Sequence, residues 1–210
     1  MYVPPHFAED RTPVLHEAIR AAGLATLVTH GSGGIEASHV PMLLEAEPAP
    51  LGTLIGHVSR ANPQWRHGGD GESLAIFLGP DAYVSPSWYP TKQATGKVVP
   101  TWNYVAIHAY GRVEFFDDVE RLRDLVRRLT ERHEGGRAAP WAMSDAPEDY
   151  LRSQLKGIVG FALPIARLEG KWKMSQNRPA EDRAGTIAGL AGDGPAAAEV
   201  AAIMAAREKG

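Results

Sequence analysis

Hydrophobic positions along the chain recur first with a helical period and then, for most of its length, with the period of a strand. Thr12-Pro13 offers a cap followed by proline at the first helical position; Val14, Leu15, Ala18, Ile19 and Ala22 share one face, and Gly23 supplies the stop. The period then shortens. Leu24 to His30 and Ile35 to Leu44 flank a Gly31-Ser32-Gly33-Gly34 turn, which predicts a hairpin. Further strands are expected at 53–58, at 73–78 and over the long run Trp102 to Phe116. In that run Val105, Ile107, Ala109, Gly111, Val113 and Phe115 hold one parity, while His108, Arg112 and Glu114 hold the other.

The helical period returns between Asp117 and Glu134. Asp117 and Glu120 form an Asp-x-x-Glu start, Gly135-Gly136 ends the element, and Val119, Leu122, Leu125, Val126 and Leu129 make the apolar stripe. A shorter helix is expected at 147–156, a buried strand at 157–168, and two alanine-rich helices at 179–190 and 195–208, parted by Gly192-Asp193-Gly194. This order lacks the regular strand–helix alternation of a doubly wound sheet. It predicts a mainly β protein with flanking helices: one barrel-like domain over residues 1–210, with residues 179–210 as a C-terminal helical extension packed on it.

Composition narrows the chemistry. The 210 residues contain no cysteine, so disulfides, thiolate catalysis, cysteine zinc sites and iron–sulfur clusters are excluded. Lys and Arg number 22 against 25 Asp and Glu, a net charge of -3. DNA as a direct partner is therefore supported neither by charge nor by any recognition motif. Acidic and basic residues alternate between Asp117 and Arg137, and they read as a solvated helix laced with i,i+4 pairs. The N-terminal segment has no basic region followed by an apolar one, and the longest apolar run, Gly157 to Ala166, is interrupted by Pro164. A cytoplasmic protein with no membrane partner is expected.

The phosphate-loop, Gly-x-Gly-x-x-Gly, His-Glu-x-x-His and Gly-x-Ser-x-Gly signatures are missing, and no histidine pair has the i,i+4 spacing of a helical zinc site, so no metal is expected. Four polar clusters remain. Ser38-His39-Val40-Pro41 lies on the second arm of the hairpin. Gly56 to Trp65 runs from a strand into a loop offering Ser59, Arg60 and Asn62, a mixture suited to phosphate, though a surface arginine beside an Asn-Pro turn has the same sequence. Tyr83 to Lys92 is rich in aromatic residues and leads through a flexible 93–96 segment to Thr101-Trp102-Asn103-Tyr104. It suits either a wall for a flat heterocycle or an aromatic core. Lys171 to Pro179 carries cations at 171, 173 and 178 and suits an anion or a solvated connector.

These segments, taken in order, resemble the PaiB family, described as FMN-binding negative transcriptional regulators. The resemblance rests on Met1-Tyr2-Val3-Pro4-Pro5-His6-Phe7, His39-Val40-Pro41, Gly56 to Trp65, Ser85-Pro86-Ser87-Trp88-Tyr89, Val99 to Tyr104, and Lys173-Met174-Ser175-Gln176-Asn177-Arg178-Pro179. It implies the FMN-binding split barrel shared with pyridoxamine-phosphate oxidases and flavin reductases, and a homodimer with FMN at the subunit interface. By position it implies that Ser59, Arg60 and Asn62 hold the flavin phosphate and that the strand of Ser38, His39 and Val40 lies along the isoalloxazine. His57, Trp102 and Asn103 would shape the pocket, completed by Gln176, Asn177 and Arg178 from either chain. One departure matters: Ala61 stands where the oxidases place a lysine after Ser-Arg, which implies either weaker FMN binding than in those enzymes or a phosphate contact from Lys173 or Arg178 instead. Two functional classes follow. One is a flavin protein associated, indirectly, with negative transcriptional control; the other is an FMN-dependent oxidoreductase acting on a small substrate. Haem held by a histidine is a third, weaker option, because related barrels hold haem.

Overall fold

A computed structural model describes residues 1–47, 50–69 and 71–208. In chain order the elements are β1 (Ala8–Glu9), α1 (Thr12–Ala21), β2 (Ala25–Gly31), β3 (Gly34–Val40), β4 (Met42–Glu45), β5 (Thr53–Ser59) and α2 (Gln64–His67). They continue with β6 (Ser73–Val84), α3 (Pro90–Thr95), β7 (Thr101–Gly111), β8 (Glu114–Phe116) and α4 (Val119–Glu134). The last are α5 (Glu148–Leu155), β9 (Ile158–Lys173), α6 (Ala180–Ala191) and α7 (Pro195–Arg207). The strand order is β3-β2-β6-β7-β9-β5-β4, with β1 and β8 also pairing with β9. Pairing is antiparallel for β2 with β3 and β6, for β4 with β5, and for β5 with β9. The expected mainly antiparallel sheet with flanking helices is present.

The chain gathers into two compact units. One contains Met1–Leu15, Leu78–Ile107 and Glu169–Gly210; the other contains His16–Phe77 and His108–Leu168. In the second unit, Leu125 and Leu129 of α4 pack on Leu43, Ile55 and Ala162, with Phe116 against them. Each buried leucine contributes about 2 kcal/mol to that contact. Asp118 caps α4 by accepting from the Arg121 N–H at 2.8 Å, so the cap falls one residue later than Asp117. Val119 is consequently exposed, while Leu122, Leu125 and Leu129 are buried. Near its other end, Arg132 donates to the carbonyls of Met42 at 2.9 Å and Ala22 at 3.1 Å, and also to that of Arg20. Burial in this carbonyl nest lowers the Arg132 pKa.

In the first unit α6 and α7 carry the packing, burying Leu190, Val200, Ala201 and Met204. Gly189 lets Trp88 lie against α6, because a Cβ there would stand 2.3 Å from the indole Cδ2.

Three elements differ from the sequence expectation. The run 102–116 is two strands. Its burial alternation continues through Val113, but β8 pairs with β9 at Glu114↔Ala162, and the break follows Gly111. The 93–96 segment is not flexible coil but the end of α3, started by Pro90 at its first position and ended by Gly96 at φ 67°. Strands β6 and β9 run well past 78 and 168; in β6 the strand continues through Pro80, which does not stop an extended strand as it would a helix.

Candidate functional site

The polar segments named from the sequence fall into two groups, one in each unit. In the second unit the loop leaving β5 is stitched to β3. Asn62 donates to the Ser38 hydroxyl at 2.7 Å, and its own carbonyl oxygen accepts from the Gln64 N–H at 3.0 Å. Ser59 accepts from the Ala61 N–H at 3.2 Å. Arg60 turns toward the protein: Nε donates to the Lys156 carbonyl at 2.8 Å and an Nη to that of Ile158 at 3.1 Å. The other Nη stands 3.7 Å from the exposed Asp117 carboxylate. Much of the guanidinium's donor capacity and some of its charge are thus engaged within the chain.

On β3, Val40 is buried, Ser38 half-buried and His39 exposed, with His39 Nδ1 3.0 Å from the Thr26 hydroxyl. Because β3 ends the strand order, one side of its backbone is not used by the sheet. His57 lies on β5. It lines a cavity of about 310 Å³ with Pro41, Val126, Leu129 and His133, and burial lowers its pKa.

The second group lies in the first unit. Trp102 of β7 is 53 % exposed, and its ring meets Tyr83 edge-on at 6.0 Å. Its neighbour Asn103 is fully buried, accepting from the Ser175 hydroxyl at 3.1 Å and donating to the Met204 sulfur at 3.2 Å. Ser175 holds a left-handed backbone at φ 61°, which turns the chain sharply after β9. Gln176 closes that turn on itself: its Oε1 accepts from the Met174 N–H at 2.7 Å and its Nε2 donates to the Trp172 carbonyl at 2.5 Å. Asn177 is exposed. Lys173 donates to the Thr101 hydroxyl at 2.5 Å and to the Trp102 carbonyl, and the Arg178 guanidinium lies 5.0 Å above the Tyr89 ring. Burial, then the charges of Lys171 and Arg178, lower the Lys173 pKa.

Several residues that shape these groups were not singled out from the sequence. Gln64 is fully buried and its Nε2 reaches the Leu27 carbonyl at 3.1 Å, the Thr29 hydroxyl at 3.2 Å and the Glu36 carbonyl at 3.3 Å, holding the loop to both strands of the hairpin. Its place directly after Asn62-Pro63 was the available signal. Asp182 is also fully buried, with Oδ1 accepting from the Thr91 N–H at 3.0 Å. Lys171 shares the strand parity of Lys173 on β9. No group of three or more His, Asp or Glu is arranged to hold a metal among the described residues.

Residues 1–167 match the family described as "Putative FMN-binding domain". An uncharacterized protein of Aspergillus fumigatus is 36% identical over 236 residues, covering 90% of this chain and 90% of its own. The protease synthase and sporulation protein PAI 2 of Bacillus subtilis is 32% identical over 206 residues, covering 97% of this chain and 96% of its own. Among solved structures, the FAD and heme binding protein from Mycobacterium smegmatis aligns with TM-score 0.60 at 17% identity, over 84% of this chain and 78% of that one. The flavocytochrome Anf3 from Azotobacter vinelandii aligns with TM-score 0.59 at 16% identity, over 87% of this chain and 78% of that one. The fold is the split barrel expected from the sequence, with C-terminal helices added.

Proposed function

The chain belongs to the PaiB-like family of FMN-binding-domain proteins, and from that premise we propose that it binds FMN as a cytoplasmic homodimer whose flavin sites lie where two copies meet. The observation that carries this reading is the free edge of β3, where backbone N–H and carbonyl groups beside Ser38, His39 and Val40 lie outside the sheet order. A flavin's pyrimidine edge alternates donors and acceptors and suits such a strand. Ser59, Arg60 and Asn62 adjoin it through the Asn62–Ser38 bond, and His57 shapes the same unit. In the first unit we propose Trp102, Asn103, Lys173, Gln176, Asn177 and Arg178 as further flavin-binding residues. The dimer is supported by apolar residues left exposed in the first unit, Leu78, Tyr83, Val99 and Trp102, which a monomer would leave in water.

The bound flavin supplies reversible one- and two-electron chemistry; the chain's residues bind it, orient it and exclude water. The association with transcription is proposed as indirect. The net charge of -3 gives no overall electrostatic attraction to DNA, and Arg127 and Arg128 on α4 are paired with Asp124, Glu131 and Glu45. A relative named for protease synthesis and sporulation suits a protein whose effects reach gene expression. The membrane plays no part in this reading, and no helix among the described residues is long and apolar enough to cross one.

Titration of the purified protein with FMN tests the proposal: bound flavin is expected to show a shifted visible spectrum, quenched fluorescence and a raised Tm. No change in all three at saturating FMN refutes it. Sedimentation then measures whether the loaded species has twice the mass of one chain.

A further inference from the structure

In the first unit three cations gather with no anion to match them. Lys171 and Lys173 occupy alternate positions of β9 and so project from the same face, and Arg178 follows on the turn that Ser175 creates. Lys171 is only 8% exposed and Lys173 is half-buried. Lysine is almost never buried without a partner. Yet no carboxylate lies within ion-pair distance of any of the three among the described residues. Three of this unit's carboxylates are paired elsewhere: Glu9 with Arg11 and Arg207, Glu169 with the N-terminal ammonium, and Glu208 with Arg183.

What the cations do have is weak by comparison. Lys171 donates to the Tyr2 carbonyl at 3.2 Å and faces the rings of Tyr2 at 5.7 Å and Tyr104 at 5.1 Å. Lys173 has its two acceptors and the Phe7 ring at 5.8 Å, and Arg178 has the Tyr89 ring. Ring contacts of this kind hold a cation but leave its charge unneutralised. Removing a cation from water costs several times more, and mutual repulsion adds to that cost. Lys173 is correspondingly easier to deprotonate than a solvated lysine, through burial first and its two cationic neighbours second. Arg60 presents the opposite case, with two backbone carbonyls and Asp117 already engaging it.

We propose that Lys171, Lys173 and Arg178 form the binding site for a phosphate monoester dianion, which on the FMN reading above is the phosphate end of FMN. Lys173 keeps one uncommitted N–H and Arg178 its guanidinium fork for direct contact, and Lys171 adds charge from behind. A dianion supplies the missing negative charge, and the cluster becomes the feature that distinguishes FMN from riboflavin.

The test compares FMN, riboflavin and inorganic phosphate on the intact protein, on Lys173→Met and on Arg178→Ala, with circular dichroism to verify folding. The expected result is that the intact protein binds FMN at least tenfold more tightly than riboflavin. Each variant should lose most of that ratio, and inorganic phosphate should raise the Tm of the intact protein more than that of either variant. Arg60→Ala should weaken both flavins by a similar factor and keep the ratio. Equal binding of FMN and riboflavin by the intact protein, or a ratio unchanged in both variants, overturns the phosphate site while leaving flavin binding standing. If neither flavin binds but phosphate stabilises only the intact protein, the anion site stands and the flavin reading falls. If nothing binds, both fall.

Discussion

Glu9 should make this protein acid-sensitive in a narrow and measurable way. Its side chain is 3% exposed; Oε1 accepts from Arg11 Nε at 2.8 Å, and Oε2 accepts from Arg11 at 2.7 Å and Arg207 at 3.0 Å. The Arg11 hydrogen bonds, chiefly, bring its pKa from 4.5 down to about 2 against the opposing effect of burial. A drop of that size corresponds to about 3 kcal/mol, and solvent screening at the exposed Arg11 leaves about 2 kcal/mol as the stabilisation. The folded pKa is depressed, so the contribution is complete above about pH 5 and lost as pH falls toward 2. Glu9→Gln removes it at every pH. Urea unfolding followed by tryptophan fluorescence, which includes Trp172 beneath Arg207, should show the variant less stable by about 2 kcal/mol at pH 7. The two proteins should converge as pH approaches 2. Stability curves that stay parallel over that range would refute the assignment.

Three further outcomes are expected. Gly111→Ala places a Cβ 2.1 Å from the Pro164 carbonyl oxygen, a backbone atom that cannot rotate aside, so it should cost about 3 kcal/mol or more in thermal or urea unfolding. Gln64→Leu keeps the volume but strands the Leu27 and Glu36 carbonyls, costing about 2 kcal/mol and accelerating amide exchange in residues 36–38. NMR titration should place the His57 midpoint below 6.5 because burial disfavours its charged form. His57 then adds stability above that pH and loses it as pH falls through the folded value.

Much of this architecture is legible in the sequence. Helix α4 announced itself through Leu122, Leu125 and Leu129 at helical spacing and through its terminal glycines, because amphipathicity and end signals are local properties of a sequence. The alternation from Ile107 through Val113 survived as burial even though the strand is broken, since side-chain direction needs only extended backbone. Helix α3 was missed although Pro90 and Gly96 mark its ends; its interior has no apolar stripe to betray it, every residue being partly or fully exposed. The site residues show the same division. Their motifs could be named one by one, but Asn62 meeting Ser38, 24 positions away, and Lys173 meeting Thr101, 72 positions away, are products of the tertiary fold.

The sequence by itself determined the periods, the turns, the absence of thiol chemistry and the near-balanced charge, all of which depend on residue identity and local geometry. It also placed a phosphate-like mixture at Ser59, Arg60 and Asn62. Only the tertiary structure decided which charges are engaged. It drew Arg60 onto the carbonyls of Lys156 and Ile158, and it left Lys171, Lys173 and Arg178 together without a carboxylate. A guanidinium's availability depends on what the fold brings within a few ångströms of it, and charge compensation is a property of neighbours in space, which spacing along the chain does not encode.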